Sequence, residues 1–100
     1  MKTYLYFIAL RPTSIAMRSK VSRWLTERDA VNIFANNWLI KTRLAFAEDL
    51  KRQIEHLARF EGGLVVFNLD HSTDWAHRNV SDEADAWILE NLTGPEYEVK

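Results

Sequence analysis

Apolar and polar positions follow two different periods along this chain. Four short runs are apolar or alternate with a period of two, which is typical of β-strands, and three longer segments space their apolar residues three or four apart, which is typical of amphipathic helices. The predicted strands cover 4–10, 31–35, 38–43 and 64–69, and the predicted helices cover 15–28, 45–60 and 82–92. This order, βαββαβ followed by a helix, predicts an α+β fold of the ferredoxin-like kind, with a four-stranded antiparallel sheet and a C-terminal helix.

Local signals mark several of the boundaries between these elements. Pro12 has no N–H to donate to a strand ladder, and Thr13 or Ser14 is suited to cap the helix that follows. Asn36-Asn37 indicates a tight turn between two strands, because asparagine tolerates a positive φ. Ser81 is suited to cap the last helix. The turns and caps therefore agree with the periodicity.

The helical spacing also predicts which side chains are buried, and it places Trp24 and Leu50 in the core. Two helices cover one face of the predicted sheet. The outer strands are apolar on both faces, so the second face needs a cover, which is the third helix, a second copy of the chain, or both. We predict a homodimer, since symmetric pairs are the commonest oligomers. The dimer-face candidates are Leu5, Phe7, Leu39, Val65 and Phe67.

Composition bounds the class of protein. With 47% hydrophobic and 27% charged residues in 100, the chain is expected to fold as a single domain over 1–92, with a frayed tail at 93–100. The first apolar run, 4–10, is far shorter than the about 20 residues that span a membrane, and no cleavage site follows it. The chain has no cysteine, which suits a reducing compartment. We therefore expect a cytoplasmic protein with no membrane partner.

Charge is distributed unevenly, although the formal net charge is only −1. Residues 1–60 hold 11 Lys or Arg against 5 Asp or Glu, whereas residues 61–100 hold 2 against 9. A basic front half attracts phosphate, and an acidic tail can screen the same surface; alternatively, both halves are simply solvated. Arg28 is close to the apolar stripe of the first helix, so the aliphatic part of its side chain can lie along the core instead of reaching toward phosphate. The nucleic-acid-contact candidates are Arg11, Arg18, Lys20, Arg23, Lys41 and Arg43.

Few residue patterns in the chain indicate catalysis or a cofactor. His71, Asp74 and His77 form H-x-x-D-x-x-H, which is a weak candidate metal site, and the aspartate has an alternative role in capping a turn. No nucleophile–base pair, glycine-rich phosphate loop or cysteine-based zinc spacing is recognisable, so we assign no catalytic residue and expect no cofactor. Aromatic residues in the strands are suited to stack on bases, but core or dimer packing is the favoured interpretation. These aromatics are Tyr4, Tyr6, Phe7 and Trp38.

Short apolar motifs over about residues 3–92 resemble a family of small bacterial proteins labelled SinR. The resemblance rests on Trp38-Leu39-Ile40-Lys41-Thr42 with the helix after it, Leu64-Val65-Val66-Phe67, Trp75, and Asp82-Glu83 with Trp87. These proteins in turn resemble the small CRISPR-associated endoribonuclease and integration subunit, GhoS-type antitoxins and VapD-type ribonucleases. The resemblance implies a ferredoxin-like fold and a place in a toxin–antitoxin or phage-defence locus.

The chain departs from those CRISPR-associated relatives at the end of the first strand. They carry an aspartate there, which a dimer pairs around a metal ion, whereas this chain has Arg11-Pro12. A hard cation such as Mg²⁺ needs oxygen ligands, which arginine does not supply. We therefore predict no metal-dependent nuclease activity.

Three functions remain open on the sequence. The first is a nucleic-acid-associated homodimer without metal chemistry of its own. The second is a protein-interaction module, an antitoxin or inhibitor, that contacts no nucleic acid. The third is a metal-independent ribonuclease using Arg or His groups. A steep salt dependence of RNA or DNA binding distinguishes the first from the second.

Overall fold

Four strands and three helices make up the parts of the chain that the computed structural model describes, residues 2–58, 61–69 and 80–91. Each predicted element is present there, the ends that fall within these ranges differ from the prediction by at most two residues, and the α+β class is as predicted. The predicted ends of the second and third helices, at 60 and 92, lie outside the described residues. The elements are β1 (Tyr4–Arg11), α1 (Ile15–Glu27), β2 (Val31–Phe34), β3 (Asn37–Thr42), α2 (Ala47–Ala58), β4 (Gly63–Asn68) and α3 (Asp82–Asn91). The tail predicted at 93–100 lies outside the described residues.

The strands form one antiparallel sheet in the order β2-β3-β1-β4. β1 lies in the interior of the sheet, where Tyr6 pairs with Ile40 on one side and Phe7 pairs with Phe67 on the other. β2 and β4 are therefore the two edge strands.

Serine side chains cap α1 and α3: Ser81 is the predicted cap of α3, and of the two candidates for α1, Thr13 and Ser14, it is Ser14. The Ser14 hydroxyl accepts a hydrogen bond from the Met17 amide at 3.1 Å, and the Ser81 hydroxyl accepts one from the Ala84 amide at 3.0 Å. Each bond satisfies an amide that has no partner within its own helix.

The β2–β3 turn differs from the prediction in the residue that takes the left-handed conformation. Positive φ falls on Ala35, at 46°, and not on Asn36 or Asn37. The turn is closed instead by the Asn32 side chain on β2, whose amide donates to the carbonyl oxygens of Ala35 at 2.9 Å and Asn37 at 3.1 Å. The pairing of Phe34 with Asn37 leaves only positions 35 and 36 for the turn, so Asn37 belongs to β3 and not to the turn.

One face of the sheet packs against α1 and α2 and contains the larger core. Leu50 is 1% exposed, as predicted, and Trp24 is half-buried at the margin of this core. The Tyr6 hydroxyl donates to the Leu44 carbonyl oxygen at 2.7 Å, which satisfies the polar end of a buried ring. Two of the four aromatic candidates for base stacking, Tyr6 and Trp38, are core residues. The buried residues of this larger core are Tyr6, Ile8, Val21, Leu25, Trp38, Ile40, Leu50 and Ile54.

The opposite face is covered in part by α3. Ala84 and Ile88 of α3 pack against Val31 and Leu39, so α3 lies over the β2–β3 side of the sheet. Of the dimer-face candidates, Leu5 and Leu39 are already buried within the single chain and Phe7 is half-buried. The other two lie on β4, where Val65 is 46% exposed and Phe67 is 55% exposed. Of the covers predicted for the second face of the sheet, α3 is therefore present over β2 and β3. Within the described residues, it leaves the β4 side of that face exposed.

No helix in the described part of the chain has the length and apolarity that crossing a bilayer requires.

Candidate nucleic-acid interface

The six basic candidates lie at different ends of the sheet. Arg11 ends β1 opposite Gly63, whereas Lys41 pairs with Leu5 near the beginning of the same strand. Six residues of extended chain separate the two positions along β1, which is about 20 Å. Arg18 lies in the first turn of α1, and Lys20 and Arg23 lie further along the same helix. Lys41 and Arg43 lie at the C-terminal end of β3, so Arg11 and this pair are at opposite ends of the sheet and the six candidates do not form one patch.

The C-terminal end of α1, with Arg28 and Asp29 after it, lies beside the C-terminal end of β3 and adds a further cation. We call these two residues the α1 corner. Arg28 is the C-cap residue, and Asp29 after it is left-handed with φ of 61°. Glycine or asparagine is usual at such a position. The Asp29 carbonyl oxygen accepts a hydrogen bond from the Trp87 indole of α3 at 2.7 Å. The backbone of this corner is thus fixed by the last hydrogen bonds of α1 and by the hydrogen bond from α3.

Arg28 is stacked on Trp24, one turn earlier in α1. Its guanidinium carbon lies 4.0 Å from the centre of the indole ring, and its Nη1 donates to the Trp24 carbonyl oxygen at 3.1 Å. Trp24 is half-buried against the core and Arg28 is exposed, so the Arg28 side chain covers the ring on the solvent side of the helix. The sequence suggested only that the Arg28 stem lies along the core. The i, i+4 spacing of tryptophan and arginine is the signal that identifies this pair.

A cleft of about 410 Å³ lies beside this stacked pair. We call it the Trp24 cleft. Around it are three cations, Arg28, Lys41 and Arg43, and one carboxylate, Asp29. The remaining lining residues are Trp24, Ile40, Thr42, Leu44, Leu50 and Gln53. The end of α1, the end of β3 and the first half of α2 therefore combine into a concave surface with excess positive charge.

The cations of the Trp24 cleft have no carboxylate partners among residues 2–58, 61–69 and 80–91. The ion pairs in these ranges lie on the outer face of α2, where Lys51 contacts Glu55 at 3.3 Å and Glu48 at 3.4 Å, and Arg52 contacts Glu48 at 3.2 Å. The hydrogen bonds that the Lys51 amine donates to Glu55 and then to Glu48 raise its pKa above the ordinary value of 10.5. Within these ranges, the cations of α2 are thus paired with carboxylates and those of the cleft are not, which favours contact of the cleft with an external anion.

A second cleft, of about 600 Å³, lies between α3 and the same corner. It shares Arg28, Asp29 and Lys41 with the Trp24 cleft but adds Glu83 and Glu90 of α3. Carboxylates repel phosphate, so the Trp24 cleft is the better anion site of the two.

The metal-site candidates His71, Asp74 and His77 lie outside the described residues. Within the described ranges, no three His, Asp or Glu side chains are grouped so that they could hold a metal ion. At the end of β1, the Arg11 side chain lies over Gly63. The absence of metal chemistry stays a prediction.

Comparisons with known proteins gave no match to a protein-family model, a curated protein or a solved structure.

Proposed function

We propose that this protein binds nucleic acid through the Trp24 cleft, and that it acts as a homodimer without metal-dependent catalysis. The observation that supports nucleic-acid binding is the grouping of Arg28, Lys41 and Arg43 around one cleft with no carboxylate partner in the described residues. Unpaired cations gain the most from contact with phosphate, because binding releases the counterions condensed on the polynucleotide.

The proposal extends to the fold and the family. The strand order β4-β1-β3-β2 with antiparallel neighbours, and two helices on one face, supports a ferredoxin-like fold. We also propose, from the short motifs in 38–42 and 64–67, a relationship to the SinR-labelled proteins and a role in a toxin–antitoxin or phage-defence locus.

Binding of labelled single-stranded RNA and DNA, measured by fluorescence anisotropy over a series of salt concentrations, tests the nucleic-acid contact. We expect Lys41→Gln with Arg43→Gln to weaken binding and to reduce the salt slope by about 1.4, at about 0.7 per lost phosphate contact. The matched control is Arg11→Gln with Arg18→Gln, which removes the same charge at the other end of the sheet.

Two results would contradict the proposal. Absence of binding at low salt would favour the protein-interaction module, in which the acidic α3 or β4 contacts another protein. Equal losses in the two double variants would show that net charge, and not the Trp24 cleft, attracts the polynucleotide.

The proposed homodimer is supported by Val65 and Phe67, which are exposed side by side on the same face of an edge strand. The Phe67 ring also contacts Phe7, with 6.4 Å between ring centres, so a partner would extend an existing aromatic pair. Light scattering should give twice the chain mass at micromolar concentration. We expect Phe67→Glu to give a monomer and Phe46→Glu, which changes an exposed phenylalanine just before α2, to leave the dimer intact. A monomeric unmodified protein would refute the dimer.

Metal-dependent catalysis is tested by incubating the protein with labelled RNA and DNA in Mg²⁺ or Mn²⁺ and then with a chelator. We expect no cleavage in either condition. Cleavage that needs the metal would restore a nuclease assignment, and cleavage that survives the chelator would favour the metal-independent ribonuclease.

A further inference from the structure

The size of the Trp24 cleft limits what can enter it. Its volume of about 410 Å³ is at the lower end of the range for small-ligand pockets. A base inside a duplex is paired on its edge and stacked on both faces, so it cannot enter a concave site without being extruded. An unpaired nucleotide has its base face and base edge free. The cleft is therefore suited to a single nucleotide and not to the side of a double helix.

Arg28 offers a flat surface on which a base can stack. The guanidinium is fixed in orientation by the Trp24 ring beneath it and by the hydrogen bond to the Trp24 carbonyl oxygen. A planar group that is already ordered loses little side-chain freedom when a ligand binds. Bases that are not in a duplex stack on aromatic rings and on arginine planes. The outer face of Arg28 thus provides a preorganised stacking site.

The polar lining indicates how a nucleotide would be oriented. Lys41 and Arg43 are on the β3 side of the cleft and supply positive charge for a phosphate. Asp29 repels phosphate, but its carboxylate can accept hydrogen bonds from an amino group of a base or from a sugar hydroxyl. Gln53 can both donate to and accept from a base edge. The lining therefore offers Lys41 and Arg43 to a phosphate on the β3 side of the cleft, and Asp29 and Gln53 to a base or a sugar.

We infer that the Trp24 cleft binds one unpaired nucleotide of a single-stranded nucleic acid, with its base stacked on Arg28 and its phosphate beside Lys41 and Arg43. This inference rests on the proposed function, and it adds a selection for single strands that phosphate contacts alone do not give.

The test compares a labelled single-stranded oligonucleotide with a duplex of the same length, by anisotropy, for the unmodified protein, Arg28→Lys and Arg52→Lys. Arg28→Lys keeps the charge and removes the planar group. We expect it to weaken single-strand binding by about fivefold or more, the lower limit for one stacked base, and to leave the salt slope and duplex binding unchanged. Arg52→Lys makes the same change on the exposed outer face of α2, outside the cleft, and should have no effect.

Competition on the unmodified protein provides a second measurement that does not depend on a variant. A nucleoside monophosphate should displace the labelled single strand at a lower concentration than inorganic phosphate does, because only the nucleotide has a base to stack. Urea unfolding of Arg28→Lys serves as the control for an intact fold.

The outcomes separate this inference from the proposed function. Salt-dependent binding with equal affinity for single strands and duplexes, an Arg28→Lys variant that binds like the unmodified protein, or displacement by phosphate as effective as by the nucleotide would each overturn the nucleotide site and leave the proposed function standing. Absence of any polynucleotide binding at low salt would overturn both.

Discussion

Replacing Leu50 by alanine tests the packing on which the Trp24 cleft depends. Leu50 is 1% exposed and belongs to the core between the sheet and the two helices. A buried Leu→Ala change costs about 2–5 kcal/mol, of which part is lost transfer energy and part is the cavity left behind. Since Leu50 also lines the Trp24 cleft, solvent can reach the void, and we expect the lower half of that range, about 2–3 kcal/mol.

Two matched variants make this expectation specific. Ile54 is fully buried and lines neither of the two clefts described above, so Ile54→Ala should fall in the upper half of the range, about 3–5 kcal/mol. Leu89 is 66% exposed on α3, and Leu89→Ala should change the stability by no more than about 0.5 kcal/mol.

The assay is urea-induced unfolding followed by tryptophan fluorescence, which the four tryptophans allow. If Ile54→Ala is too unstable to measure, Ile54→Val should cost about 0.5–1.5 kcal/mol. A loss below about 0.5 kcal/mol for Leu50→Ala, or an equal loss for Leu89→Ala, would refute the assignment of the buried face of α2.

Three further variants address the turn, the corner and the ion pairs. Ala35→Gly should stabilise the protein by about 0.5–1 kcal/mol in urea unfolding. A left-handed alanine costs about 1–2 kcal/mol, and glycine removes this cost but loses more backbone entropy on folding, about 0.5–1 kcal/mol. A destabilised Ala35→Gly variant would contradict this. Trp87→Phe removes the hydrogen bond to Asp29 and should cost about 0.5–1.5 kcal/mol, with faster amide exchange in α3 but not in α1. Glu55 and Glu48 raise the pKa of Lys51 above 10.5. The ion pairs of Lys51 therefore stabilise the folded protein slightly at neutral pH, and this stabilisation is lost as the pH rises through values above 10.5, where the amine loses its proton. The stability difference between the unmodified protein and Lys51→Met should therefore stay constant at neutral pH and shrink only in that alkaline range.

Local and periodic signals in the sequence determined the elements and the faces they bury. The stripe that includes Leu50 and Ile54 predicts the buried face of α2, and both side chains are buried in the structure. Ser81 predicts the cap of α3, and Thr13 or Ser14 predicts that of α1, because capping involves residues only three positions apart. Such predictions succeed because the interactions that decide them lie within one or two turns of chain.

Only the tertiary structure decided which cations lie together. By sequence, Arg11 and Arg18 group with the other basic residues of the first half, but antiparallel packing carries them to the opposite end of the sheet from Lys41. Arg28 joins Lys41 and Arg43 because the β2–β3 hairpin returns the chain to the end of α1. Contacts of this kind depend on strand order and register, which are set by the whole core and not by any local pattern.

The same reason explains the burial of Leu39 and the left-handed Ala35. Leu39 has the alternation of an outward-facing strand residue, and it is buried because α3, more than forty residues later in the chain, packs over it. Ala35 has no local preference for positive φ, and it bends because the pairing of Phe34 with Asn37 leaves the turn only two residues. In both cases a long-range or cross-strand contact gains more free energy than the local preference costs.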